Sequence, residues 1–131
     1  MTEELEKYVL SHSAPEGDYL YRLYRATNIH TIHGRMASGH LQGRLLKMFV
    51  EMIRPKNILE VGTFSGYSAI CMAEGLAEIA KSTGQQGKSI DGAKGSGDNN
   101  VIGKIWTFEI NDEMEDFTRP WLEGSPVAEH I

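Results

Sequence analysis

A nine-residue segment near the middle of the chain has the residue types of a ligand-binding turn. It runs from Glu60 through Gly62 and Gly66 to Ser68, and it follows a short apolar run. Where a strand ends in a glycine-bearing turn and a helix begins, backbone N–H groups converge and the missing Cβ atoms let a ligand approach the main chain. The sequence therefore predicts a small-molecule site at this turn.

The spacing within the turn argues against two phosphate-binding motifs. A dinucleotide fingerprint needs a second glycine two residues after the first, and Phe64 stands there. A P-loop needs lysine and then serine or threonine after its last glycine, but Tyr67 follows Gly66. A nicotinamide-dependent oxidoreductase is therefore disfavoured. The acid Glu60 at the strand end, with no cation beside it, instead favours a positively charged ligand, such as the ammonium and sulfonium of S-adenosylmethionine.

A second acid, Glu109, ends another short apolar run. In α/β nucleotide sites an acid at the tip of the second strand accepts hydrogen bonds from the ribose hydroxyls, usually about 20 residues after the glycine turn. Glu109 lies about twice that far along the chain, and a glycine-rich insert accounts for the surplus. Alone, Glu109 could equally be a solvated side chain; paired with the glycine turn, it is a candidate ligand group.

Three helices are predicted ahead of these residues. Thr2 can cap the first, and the second should run from Asp18 to about Asn28. The third should end before Pro55. Its apolar residues recur at helical spacing, which indicates a core-facing stripe: Leu41, Leu45, Leu46, Phe49, Val50 and Ile53.

The rest of the chain alternates between strand and helix patterns. Residues 58–61 and 104–110 predict strands buried on both faces, since each is a short apolar run. Residues 68–80 return to helical spacing. Residues 81–103 contain six glycines and few large apolar side chains, which predicts a mobile loop. Asn111 or Asp112 should cap a last helix.

This order predicts an α/β fold, the N-terminal portion of a Rossmann-like parallel sheet preceded by about three helices. We expect one partial domain over residues 1–131, with helices in 1–56, the start of the sheet in 57–131 and a flexible insert at 81–103. Two strands are too few for a complete parallel sheet, which needs both faces covered.

Composition excludes several classes of protein. The net charge is −5, and without a basic run nucleic acid is a poor partner. No stretch is apolar enough to span a membrane, and the acidic N-terminus does not resemble a signal peptide. Cys71 is the single cysteine, so we expect no disulfide and an inert core thiol. The sequence predicts a cytoplasmic protein. His30 and His33 could share a helical face, but no third metal ligand lies near them.

Three segments resemble a known family and stand in the family's order. They are residues 36–46, 58–68 and 104–111. Together they are similar to the N-terminal part of the cation-dependent, caffeoyl-CoA O-methyltransferase-like family of class I S-adenosylmethionine-dependent O-methyltransferases. The resemblance implies S-adenosylmethionine as cofactor and, in full-length members, a divalent cation such as Mg²⁺.

Carried over by position, the resemblance assigns six residues to the cofactor: Ser38, Glu60, Gly62, Thr63, Ser68 and Glu109. It implies that Glu60 holds the methionine end, that Glu109 holds the ribose and that the Ser68 hydroxyl points toward the carboxylate. Ser38 and Ser68 could instead cap the helices that they precede.

The resemblance also implies what the chain lacks. It places the family's metal ligands beyond Ile131, so no residue here is assigned to a metal or to catalysis. The predicted activity is methyl transfer to a hydroxyl of a small phenolic or catechol-like acceptor, with a homodimer as the assembly. The 131-residue chain alone should be inactive. The alternative is a non-catalytic fragment or a self-associating binding module.

Overall fold

A computed structural model describes residues 1–86 and 103–131 of the chain. Within these ranges five α-helices and two strands follow one another: α1 (Glu3–Ser11), α2 (Asp18–His30), α3 (Gly39–Ile53), β1 (Asn57–Val61), α4 (Tyr67–Gln86), β2 (Lys104–Phe108) and α5 (Glu115–Glu123). Short 3₁₀ turns occupy Gly34–Met36, Asp112–Met114 and Ala128–His130. No helix in the described ranges is both long and apolar enough to cross a bilayer.

The N-terminal helices begin and end close to the predicted positions. Thr2 caps α1 by accepting a hydrogen bond from the Leu5 backbone N–H at 3.4 Å. The second helix begins at Asp18 as expected and continues to His30, two residues past the predicted end. Arg54 ends α3 in a left-handed conformation, directly before Pro55, whose ring disfavours the helical conformation in the residue before it.

The two strands are parallel, and α4 lies between them in the sequence. The register pairs Ile58 with Ile105, Leu59 with Trp106, and Glu60 with Thr107. The predicted parallel α/β arrangement is confirmed. Because parallel strands end at the same edge of a sheet, the segments after β1 and β2 meet there.

One face of the sheet is covered and the other is exposed. Ile105 is buried in the core and Ile58 packs against it. The opposite face carries apolar side chains that remain largely exposed: Leu59, Val61, Trp106 and Phe108. The prediction that both strands are buried on both faces is therefore wrong for the described part of the chain, whose helices pack against one side only.

The core is centred on α4, which packs closely against α3. Glycines permit this approach: a Cβ on Gly75 would lie 3.0 Å from Val50 Cβ, and one on Gly43 would lie 2.5 Å from Cys71 Sγ. The apolar stripe of α3 is only partly in the core, because Val50 is buried while Phe49 is exposed. Cys71 is buried as predicted.

The insert predicted at residues 81–103 begins later than expected. Residues 81–86 extend α4, and this extra turn and a half has local support. Lys81 pairs with Glu78 at 3.0 Å, and the Ser82 and Thr83 hydroxyls both donate to the Ile79 carbonyl. Residues 87–102 of the insert lie outside the described residues.

Candidate functional site

The glycine turn after β1 is tied to the end of β2 by its own backbone. The N–H groups of Gly62 and Thr63 both donate to the Phe108 carbonyl, at 2.8 and 3.1 Å. Gly62 has φ +96°, a conformation that favours glycine, and no atom lies within 4 Å of the position where its Cβ would be. The turn thus leaves open space beside its backbone, as a ligand that approaches the main chain requires.

Phe64 holds a left-handed backbone with φ +47°. Such a conformation costs a non-glycine residue about 1–3 kcal/mol and persists only where its surroundings fix it. Here they do: the Phe64 N–H donates to Glu109 Oε2 at 2.7 Å, and the Phe64 carbonyl accepts a hydrogen bond from the Thr118 hydroxyl of α5. Glu109 and α5 therefore hold the turn from two sides.

Gly66 allows α5 to pack directly against the turn. Its φ is +80°, and a Cβ there would lie 2.6 Å from Leu122 Cδ2 and 3.5 Å from Thr118 Cγ2. Gly66 is therefore a close-packing glycine. Since α4 begins at the next residue, the contact also fixes where that helix starts.

Two hydroxyl groups bind the Glu60 carboxylate, and a third hydroxyl binds one of those two. Ser68 Oγ donates to Oε1 at 2.5 Å, and Thr107 Oγ1 donates to Oε2 at 2.6 Å. Thr63 Oγ1 lies 2.5 Å from Thr107 Oγ1. Because Thr107 uses its hydrogen on Glu60, Thr63 must be the donor of that last bond. Ser68 therefore contacts the acid at the strand end, instead of only capping its helix.

Glu109 lies exposed at the tip of β2, where backbone N–H groups stabilise its charge. Oε1 accepts from the Asn111 N–H at 2.9 Å, and Oε2 accepts from Phe64. These bonds, that from Asn111 foremost, hold the pKa of the Glu109 carboxyl below its usual value. An ionised carboxylate offers about four lone-pair sites, and the exposed side of this carboxylate can accept from a ligand.

Ser38 joins this region from the segment before α3. It lines a hollow of about 60 Å³ together with residues of the glycine turn and the start of α4, among them Gly62, Thr63 and Ser68. Ser38 makes no side-chain cap bond to α3, so the capping alternative is wrong for this residue. The fold thus brings the six predicted residues together at one edge of the sheet.

A larger cleft of about 650 Å³ lies beside the hollow. Thr63, Thr107 and Glu109 line it from the sheet edge, and α5 contributes Thr118 and Leu122. Glu109 lines this cleft, whereas Ser38 and Ser68 line the hollow. Thr63 lines both spaces. The two spaces together could receive an elongated ligand.

Sequence reasoning missed two residues of the site, Thr107 and Thr118. Thr107 could have been found, because a polar side chain in an apolar strand that faces the same side as Glu60 needs a partner. Thr118 gave no such signal, since its role depends on how α5 packs against Phe64.

No metal centre forms in the residues that the structure describes, where no group of three or more histidine, cysteine, aspartate or glutamate side chains could hold an ion. The described residues therefore do not fit a divalent cation. His33 lies past the end of α2, which stops at His30, so the predicted shared helical face does not exist.

Cys71 should be unreactive in the folded protein. Burial, foremost, and the nearby Glu74 raise the pKa of its thiol to about 12, and the thiolate is the nucleophilic form. We expect a disulfide reagent at pH 8 to label native Cys71 slowly and the urea-unfolded chain at once. Because the folded pKa is raised, stability should also fall as pH rises above 9 toward 12. Rapid labelling of the native protein would show that the thiol is accessible.

Comparison with known proteins identifies the family. The sequence profile of the O-methyltransferase family matches residues 10–88, which is more than half of the chain. The chain belongs to this family. It is 33% identical over 84 residues to a caffeoyl-CoA O-methyltransferase of Stellaria longipes, covering 63% of this chain and 34% of that protein. Caffeoyl-CoA O-methyltransferase 1 of Arabidopsis thaliana is 24% identical over 132 residues, covering 99% of this chain and 42% of that protein.

Solved structures of two other methyltransferases share the fold of this chain. A methyltransferase of Podospora anserina with bound S-adenosylhomocysteine, PaMTH1, superposes with a TM-score of 0.70 at 22% identity, over 99% of this chain and 48% of that one. TomG, an O-methyltransferase of Streptomyces achromogenes in complex with S-adenosylmethionine, gives 0.67 at 21% identity, over 99% and 50%. The chain thus spans half or less of the length of each of these four proteins.

Proposed function

We propose that this chain supplies the S-adenosylmethionine-binding half of an O-methyltransferase. The observation that carries the proposal is the placement of two carboxylates, Glu60 and Glu109, at the carboxyl edge of the sheet on either side of the Gly62 turn. Ligands of open α/β sheets bind at this edge. The bound S-adenosyl compounds named for PaMTH1 and TomG support the choice of ligand.

Glu60 suits the methionine end of the cofactor. Its charge would attract the ammonium group, and Ser68 and Thr107 hold its two oxygens in place. The open backbone at Gly62 and the hollow lined by Ser38 and Ser68 leave room at the turn that follows Glu60. A positively charged ligand is also consistent with the absence of a lysine or arginine from residues 60–68.

Glu109 suits the ribose. Its exposed carboxylate could accept from both vicinal hydroxyls, because one carboxylate spans a diol. Its lowered pKa keeps it charged for that purpose at neutral pH. The larger cleft lined by Thr63 and α5 would then receive the base.

The proposed chemistry is transfer of the sulfonium methyl group to a hydroxyl oxygen. The contribution of this chain is positioning, which can supply much of the rate in a bimolecular displacement. The acceptor would be a small phenolic or catechol-like molecule, by analogy with the caffeoyl-CoA named for two relatives. The described residues do not form a divalent-cation site, so we assign none of them a role in binding a metal. We also propose that the protein is cytoplasmic and assembles as a homodimer.

Calorimetric titration tests the proposal directly. Wild-type chain should bind S-adenosylhomocysteine and should not bind NAD, because the turn lacks the glycine spacing of a dinucleotide site. Binding of NAD alone would favour an oxidoreductase. Binding of neither ligand would favour a module with no nucleotide site.

A further inference from the structure

We propose that Thr107 is a positioning residue that orients the Glu60 carboxylate toward the cofactor's ammonium group, an inference that rests on the proposed function. Thr107 lies on β2, directly opposite Glu60 of β1 in the parallel register. Partners in register project from the same face of a sheet. The two side chains therefore meet on the covered face, where both are half-buried.

The donor of each hydrogen bond at Thr107 is determined. Its hydroxyl donates to Glu60 Oε2 at 2.6 Å and accepts from Thr63 at 2.5 Å. Threonine is stiff at χ1, so the strand backbone sets where this hydroxyl points. A short O–H···O⁻ bond of this kind is among the stronger hydrogen bonds in proteins.

Glu60 would otherwise be free to rotate about its terminal bond. Ser68 holds one oxygen at 2.5 Å, and a single bond leaves the plane of the carboxylate undetermined. Thr107 holds the second oxygen and so fixes that plane. The lone pairs left over on the two oxygens then have fixed directions.

Thr107 also lines the larger cleft, so direct contact with a ligand there must be separated from action through Glu60. The two roles predict different ligand dependence. Action through Glu60 affects only ligands that carry the amino-acid end. Direct contact in the cleft, or a general loosening of the sheet, affects every ligand that carries the adenosyl part.

The test compares Thr107→Val, which keeps the shape but removes the hydroxyl, with Thr107→Ser, which keeps the hydroxyl. Each variant is titrated with S-adenosylhomocysteine and with 5′-methylthioadenosine, which lacks the amino-acid end. We expect Thr107→Val to weaken S-adenosylhomocysteine binding about tenfold, the scale of a hydrogen bond to a charged group. It should change 5′-methylthioadenosine binding less than about twofold, within the spread of neutral substitutions. Thr107→Ser should behave like the wild type with both ligands.

The result that would overturn the inference is an equal loss for both ligands, or no loss for either, in Thr107→Val. Wild-type chain that fails to bind S-adenosylhomocysteine would overturn the proposed function as well, so the two failures are distinct. Thermal melts establish that each variant folds. If Thr107→Val does not fold, Thr107→Ala replaces it, and the same comparison with Thr107→Ser decides the question.

Discussion

Replacing Glu109 by alanine should weaken the binding of S-adenosylhomocysteine about ten- to a hundredfold. Hydrogen bonds to a charged group are worth about 1.5–3 kcal/mol, and the variant loses the acceptor for the ribose hydroxyls. It also loses the acceptor for the Phe64 N–H, which helps to hold the left-handed backbone of the turn. Isothermal titration of the wild type and the variant measures the loss.

The two contributions of Glu109 can be separated with a second ligand. The 2′-deoxy analogue of S-adenosylhomocysteine lacks one of the hydroxyls, so the wild type should bind it more weakly than the parent compound. In Glu109→Ala that preference should vanish, because the carboxylate that distinguishes the two ligands is gone. A Thr118→Val variant is the control: it loosens Phe64 from the opposite side and should retain the preference.

A preference for the ribose hydroxyl that survives in Glu109→Ala would remove this residue from the ribose site. Unchanged affinity for the parent compound would remove it from the site altogether. If Glu109→Ala binds S-adenosylhomocysteine more weakly but still prefers it to the 2′-deoxy analogue, the role of Glu109 is to stabilise the turn and not to bind the ribose.

Local sequence signals predicted the parts of the fold that depend on local physics. The cap at Thr2, the stop at Pro55 and the glycine turn at Gly62 each depend on a few neighbouring residues. The meeting of Glu60 and Glu109 was also predictable, because parallel strands end at one edge.

Features that depend on packing could not be predicted in this way. The left-handed backbone of Phe64 exists because Glu109 and Thr118 hold it from distant positions in the chain. The start of the insert was misjudged because Ser82 and Thr83 look like loop residues, yet their hydroxyls bond back to the helix. Such bonds are a recognised option for these residue types within helices.

The burial of the strands was misjudged for another reason. An apolar run shows that both faces of a strand carry apolar side chains, but it does not show which elements cover each face. Ile105 is buried by α4, whereas Val61, on the opposite face, is 84% exposed. The apolar character of that second face is a property of the sequence, and none of the described elements covers it.

That exposed face should drive association of the purified 131-residue chain. We define it by four side chains, Leu59, Val61, Trp106 and Phe108. Within the described residues β1 pairs with β2 alone, so one side of β1 also offers unpaired backbone groups, which favour pairing between chains. We expect dimers or larger species at micromolar concentration in sedimentation velocity, with a population that grows as concentration rises.

A substitution within the face distinguishes this surface from other apolar residues. Trp106→Lys should shift the population toward the monomer, because burying a lysine charge against apolar partners costs far more than the lost contacts. Ile32→Lys is the matched control, since Ile32 is 95% exposed but lies outside the sheet, and it should leave association unchanged. A wild-type chain that sediments as a clean monomer would mean that the four side chains do not form a self-associating surface. An equal shift toward the monomer in both variants would place the associating surface outside these four side chains, because each lysine brings the net charge closer to zero, which by itself favours association.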